Sequence, residues 1–190
     1  MINKWMVNVV TNFVTNAVTS TVTKYTKHLP QALYRAEQVR ELDRIAIEEN
    51  GIPGFSLMTK AAEATFAVMR KRWPQSVRVT VFCGVGNNGG DGYVIARLAQ
   101  QAGLDVVVIQ VGETTKLTAD ALTAYQQATE EGVKVLVFDA LWVNESDGFI
   151  MSEGIIVDAL LGTGLKGEVR GECKRAIELI NRLSSHNDVN

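Results

Sequence analysis

The sequence has 190 residues, 46% of them hydrophobic and 21% charged, with a formal net charge of −2. That length supports one domain with a core that needs no staples, and the near-neutral charge argues against nucleic acid or an anionic membrane surface as partner. The two cysteines, Cys83 and Cys173, stand far apart with no Cys-x-x-Cys pair and no histidine at metal-ligand spacing, which argues against a disulfide scaffold and fits a cytoplasmic chain.

Residues 1–28 are rich in Thr, Val and Asn, and no acidic residue precedes Glu37. They are expected as a poorly ordered N-terminal extension to a single domain over residues 29–190. An acidic-poor leader also suits organellar targeting, although no arginine precedes Arg35. No run approaches the roughly 18–20 apolar residues of a membrane span.

From Gln31 the spacing of Ala36, Val39, Leu42, Ile45 and Ala46 predicts a helix, stopped at Asn50-Gly51. Ser56 is placed to cap a second helix that ends at Trp73-Pro74. Strands and helices then alternate. Strands are expected over Val77–Cys83, Asp105–Val111, Val133–Phe138 and Ile155–Leu161, with helices over Tyr93–Gln101, Thr118–Glu131 and Gly171–Leu183. The second strand is almost all valine and isoleucine, as in a parallel strand buried on both faces. The pattern predicts an α/β fold: a three-layer αβα Rossmann-like sandwich with a mostly parallel sheet.

The first strand feeds Gly84-Val85-Gly86-Asn87-Asn88-Gly89-Gly90-Asp91-Gly92, in which Gly84, Gly86 and Gly89 have the G-x-G-x-x-G spacing. Glycines here admit positive φ and close approach of a ligand, and the helix start favours an anion. An ordinary dinucleotide site fits poorly. Asp91 would repel a pyrophosphate unless a cation intervened, and Glu113 comes late for a ribose. A mixed site accounts for the run better: glycine amides hold phosphate, while the Asn87 and Asn88 side chains offer oxygens to a hard cation. Asp91 is then expected to orient the ligand, move a proton or face the cation; the plain alternative is a helix N-cap.

The second strand-end loop, Val157-Asp158-Ala159-Leu160-Leu161-Gly162-Thr163-Gly164-Leu165, repeats this logic. Asp158 interrupts an apolar strand at its carboxyl end, where open α/β sheets bind ligands. It is expected to serve the ligand or to bond loop amides. Lys166, Gly167 and Glu168 border the same mouth, with Arg170 solvated beyond them. Cys83, ending an apolar run, reads as a small buried hydrophobe.

Together, Cys83–Val94 and Val157–Leu165 resemble the two motifs of the NAD(P)H-hydrate epimerase family (the YjeF N-terminal domain), and Arg40-Glu41-Leu42-Asp43, Gly51-Ile52-Pro53 and Leu57-Met58 resemble its entry helices. The resemblance covers about residues 33–183 of the sequence. It implies an isomerase that interconverts the R and S forms of NADHX and NADPHX, with a separate NAD(P)H-hydrate dehydratase as pathway partner. It implies substrate contacts from Asn87, Asn88, Gly89, Gly90, Asp91, Gly162, Thr163, Gly164, Leu165, Lys166, Gly167 and Glu168. It also implies a potassium ion on Asn88 and Asp158; the natural acid–base group is Asp91 or the Asp of the later Asp-x-Pro-Ser-Gly motif. The sequence departs from the family at Ala61-Ala62, where Ala-Gly is usual, and it stops before a further strand with an Asp-x-Pro-Ser-Gly motif. It therefore reads as C-terminally truncated, with a sheet edge that a homodimer could cover. Two other functions fit the loops less well: an inactive nucleotide-binding module, and an NAD-dependent oxidoreductase resting on the bare G-x-G-x-x-G.

Overall fold

The computed structural model describes residues 4–8, 35–138, 154–165 and 167–185. In chain order it has β1 (Lys4–Asn8), α1 (Ala36–Arg44) running into a π-helical turn (Ile45–Glu49), α2 (Gly54–Arg72), β2 (Arg78–Cys83), α3 (Asn87–Gln101), β3 (Asp105–Gln110), α4 (Ala119–Glu130), β4 (Lys134–Val137), β5 (Gly154–Ala159) and α5 (Gly171–Ser185). The five strands form one sheet in the order β1-β5-β2-β3-β4, and every neighbouring pair is parallel.

Period-two alternation splits the sheet residues between two cores. Val79, Val81, Cys83, Val106, Val108, Ile155, Val157 and Ala159 face α2, α3 and α4. Phe82, Val107, Ile109 and Ile156 face Ala176, Leu179, Ile180 and Leu183 of α5. Helices on both faces of a parallel sheet give the expected αβα sandwich. The chain winds outward from β2 through β3 to β4, then returns to the other side of β2 with β5. The switch point therefore lies between β2 and β5, and both glycine loops leave the sheet there.

Several sequence expectations shift. Helix α2 starts at Gly54 behind Pro53, so Ser56 lies inside its first turn and not at the cap. Proline at that position fixes φ and lacks the amide a helix start would leave unpaired. Lys4–Asn8, within the segment read as poorly ordered, pairs in parallel with β5 from Lys4↔Gly154 to Asn8↔Asp158. This strand satisfies backbone groups on the β5 edge that would otherwise be bare.

The largest shift is at the first loop. Helix α3 begins at Asn87 with Gly86 as N-cap, so the Asn-Asn-Gly-Gly-Asp-Gly run is helical and not loop. Gly84, Gly86, Gly89, Gly90 and Gly92 are absent from the glycines with positive φ. Proximity explains four of them, a Cβ on Gly86 alone having open space around it. A Cβ on Gly84 would meet the carbonyl oxygen of Leu160, and one on Gly89 the carbonyl oxygen of Gly84. A Cβ on Gly92 would stand 2.6 Å from Ala159 Cβ and 2.7 Å from Cys83 Sγ. These glycines let α3 lie almost directly on the ends of β2 and β5.

Replacing Gly92 by alanine tests this. Helix propensity alone favours alanine by about 1 kcal/mol. The overpacking against Ala159 and Cys83 outweighs it, and Gly92→Ala is expected to lower stability by about 1–3 kcal/mol, read as a fall in the urea midpoint.

Candidate functional site

The ends of β2 and β5 are stitched together before the site begins. Gly84 donates its amide to Ala159 O at 3.0 Å, and Val111 donates to Cys83 O at 2.8 Å on the other side. Helix α3 rises from this junction, and its first amides have no intrahelical acceptor.

Asn88 is buried in the first turn of α3, and its Nδ2 donates to Leu161 O at 3.2 Å. Asp158 Oδ1 accepts from the Leu160 amide at 3.0 Å, which is the loop-amide bond allowed for it from sequence. The two side chains proposed for one ion thus hold adjacent residues of a single turn. Burial raises the Asp158 carboxyl above its ordinary range, and the Leu160 amide partly offsets this. The turn itself is Gly162-Thr163-Gly164, and Leu165 donates its amide to Gly162 O at 3.3 Å.

Asn87, exposed beside Asn88, is arranged the opposite way. Its Oδ1 accepts from the Thr118 hydroxyl at 2.8 Å. The sequence reading offered both asparagine oxygens to a cation; here the Asn87 oxygen is already engaged. Thr118 occupies the N-cap of α4 but makes no side-chain cap bond, its hydroxyl being turned to Asn87.

Asp91 lies in the second turn of α3, so the N-cap alternative fails: Gly86 holds that position because the helix starts four residues before Asp91. Burial, and then the nearby Asp43 carboxylate, push Asp91 up to about 7. Asp43 comes from α1 and is itself raised by burial. The same helix reaches the second loop, because Arg40 donates through Nη1 to Thr163 O. Helix α1 therefore touches both halves of the site. Sequence reasoning placed Arg40 and Asp43 only in an entry helix. The available signal was spacing: Asp43 sits four residues after buried Val39, a poor place for an unpaired carboxylate.

The remaining expected residues are spread along the mouth. Leu165 is exposed, and Gly167 takes φ +78°. Glu168 forms an exposed ion pair with Arg170 at 3.3 Å, so Glu168 too is solvated. Lys166 lies outside the described residues. Cys83 is fully buried and its thiol is pushed well up by that burial, as befits an inert packing residue. Glu113, late for a ribose, pairs with Lys116 at 2.8 Å.

Residues 54–188 match the family described as YjeF-related protein N-terminus. The chain belongs to this family. Among relatives of this YjeF-related domain, an NAD(P)H-hydrate epimerase of Pirellula staleyi is 36% identical over 155 residues, covering 81% of this chain and 68% of that one. A bifunctional NAD(P)H-hydrate repair enzyme of Coxiella burnetii is 40% identical over 154 residues, covering 81% of this chain but only 30% of its own length. The YjeF-related chain thus spans less than a third of that bifunctional relative. The fold is shared with a solved structure, yeast ynu0, at a TM-score of 0.71 and 23% identity, covering 82% of this chain and 67% of that one.

The Asp91 environment has a measurable consequence for the YjeF-related domain. Its folded pKa, about 7, lies above the ordinary value of 3.8. Stability from this group is full at low pH and is lost as pH rises through about 7, where the buried carboxyl must ionise. Asp91→Asn is expected to be more stable than the unaltered chain at pH 8 by roughly 1–3 kcal/mol, the difference shrinking toward pH 4. Paired urea melts at pH 5 and pH 8 measure it.

Proposed function

We propose that this chain epimerises hydrated nicotinamide cofactors, interconverting the R and S forms of NADHX and NADPHX. The observation that carries the reading is Asp91: a carboxyl raised to about 7 near Asp43, in the helix that starts at the switch point of the sheet. The relatives that are NAD(P)H-hydrate epimerases supply the substrate class.

Epimerisation inverts the carbon that bears the added hydroxyl. The bond to that hydroxyl breaks with loss and return of water, or the ring opens and recloses. Either route needs one group that gives a proton and later takes one back near neutral pH. A group titrating close to 7 divides its time between both forms and suits that task. Asp91, nearly withdrawn from water, fills that role. The amides at the start of α3 would hold a phosphate of the cofactor, and the Gly162–Gly164 turn would border the ring.

The residues also fit a potassium ion. Asn88 has committed its nitrogen to Leu161 O, which leaves its oxygen as the end available to a cation. Asp158 has one oxygen on the Leu160 amide and a second remaining. Among the described residues no group of three or more His, Cys, Asp or Glu is placed to hold a metal. One carboxylate with neutral oxygens instead suits a weakly charged, oxygen-preferring ion. Bound there, the ion would supply positive charge between Asp158 and an anionic cofactor. An NAD(P)H-hydrate dehydratase would be the pathway partner that takes the S form.

The test is the approach of a single NADHX epimer to the mixed equilibrium, followed chromatographically with and without protein. A rate above background is expected, and Asp91→Asn is expected to cut it by about 100-fold or more. Cofactor binding without any acceleration would overturn the catalytic reading. Exchange of potassium for sodium is expected to slow the unaltered chain, and Asp158→Asn to remove that ion preference.

A further inference from the structure

The turn in the second loop holds a glycine that its present shape does not need. Leu165 donates its amide to Gly162 O at 3.3 Å, so Thr163 and Gly164 are the two central residues of a four-residue turn. Gly164 lacks positive φ, and a Cβ on it would meet nothing within 4 Å. Neither backbone strain nor crowding calls for glycine there. A second state of the same turn does. The planar peptide between the central residues can turn over, exchanging the sides on which its C=O and N–H lie. That carries a turn of type I into type II, and type II demands positive φ at the position of Gly164.

We propose that Arg40 is a positioning residue that selects between these two orientations of the Thr163–Gly164 peptide, and that the orientation it holds is the one that receives the cofactor. The second half rests on the proposed function, in which this turn borders the ring. Three observations carry the proposal. Arg40 Nη1 donates to Thr163 O, the carbonyl of the peptide in question, from 123 residues earlier in the chain. The base of the turn is pinned separately: Asn88 Nδ2 holds Leu161 O at 3.2 Å, and a Cβ on Gly162 would stand 3.2 Å from Asn88 Cβ. Among the described residues, Arg40 supplies the one side-chain hydrogen bond to the central peptide.

The base of the turn can stay in place while its apex turns over, because the bond from Leu165 to Gly162 is common to both turn types. Glycine in the third position makes the second type accessible, so one bond from a charged donor is enough to decide between them. With the carbonyl held toward α1, the Gly164 amide points to the opposite side of the turn. After the flip the two exchange places. A ligand beside the turn meets the two states differently, which is what a shift in population requires.

The test reads the flip and the ligand separately. In NMR spectra of the full chain, the NOE from Thr163 Hα to the Gly164 amide is strong in the type II form, where the extended ψ of the second residue brings these protons together. It is expected to be weak in the unaltered chain and in Arg40→Lys, which keeps a charged donor, and to strengthen in Arg40→Ala. Calorimetric titration with NADH, which carries the ring and both phosphates, is expected to show about tenfold weaker binding by Arg40→Ala. Gly164→Ala disfavours positive φ and hence the flipped form. In that background Arg40→Ala is expected to cost no more than about threefold, because the two changes act on one equilibrium. The proposal is overturned if the NOE is already strong in the unaltered chain or fails to strengthen in Arg40→Ala. It is overturned equally if Arg40→Ala loses as much affinity in the Gly164→Ala background as outside it, the mark of a plain loss of charge. Neither measurement needs turnover, so a chain that shows these effects without epimerising refutes the catalytic reading alone. A chain that shows the NOE change but does not bind NADH refutes the second half of the proposal together with the proposed function, and leaves the hold of Arg40 on the peptide standing.

Discussion

The site depends on one contact that leaves no room for side chains: the ends of β2 and β5, with α3 lying across them. Gly84 faces the Leu160 carbonyl, Gly89 faces the Gly84 carbonyl, and Gly92 is wedged between Ala159 and Cys83. Because the helix sits this low, Asn88 reaches Leu161 and Asp91 is drawn into the protein. A helix one side chain higher would leave both groups in water, where Asn88 could not hold the turn and Asp91 would be an ordinary surface acid. Close packing here does more than stabilise. It sets the polarity of the chemistry by removing solvent from a carboxyl.

The electrostatics follow from that depth. Asp43, Asp91 and Asp158 are all raised by burial, and they come from α1, α3 and β5. Asp43 lies near Asp91, whereas Asp158, alternating with Val157 and Ala159 along β5, lies near Cys173 of α5. A phosphate-bearing ligand close to such acids needs some of them protonated or a cation beside them. Protonation suits Asp91, which is the most shifted of the three. A cation suits Asp158, which already takes a backbone amide and sits beside the Asn88 turn. In the proposed function the amides at the start of α3 meet the anion. Charge is divided by depth and by hydrogen-bond commitment within a few residues of one helix.

The fold was largely legible because β2, β3 and β5 are written in β-branched residues with glycine or turn signals after them. Both site loops were legible for the same reason, as glycine runs at strand ends. What escaped was the cause of the glycines. In sequence, a run of five reads as loop and backbone freedom, and only the packing partners Leu160, Ala159 and Cys83 show that it is a helix pressed against a sheet. Asp91 moved from cap to second turn with that change. Thr118 and Asp43 escaped because their meaning is tertiary. A threonine before a helix looks like a cap until Asn87 is found at its hydroxyl, and a lone acid in an amphipathic helix looks solvated until Asp91 is found nearby. The edge strand β1 was hidden by a composition that resembles a leader and by a partner far along the chain.

That last pairing bears on how the molecule comes into being. During synthesis Lys4–Asn8 emerges well before its partner Gly154–Asp158, with β2, β3 and β4 made in between. Until that partner appears the strand has no β5 edge to join, while β2, β3 and β4 can already assemble from local crossovers. Closing so long a loop makes its docking a late event, after the nascent sheet has formed.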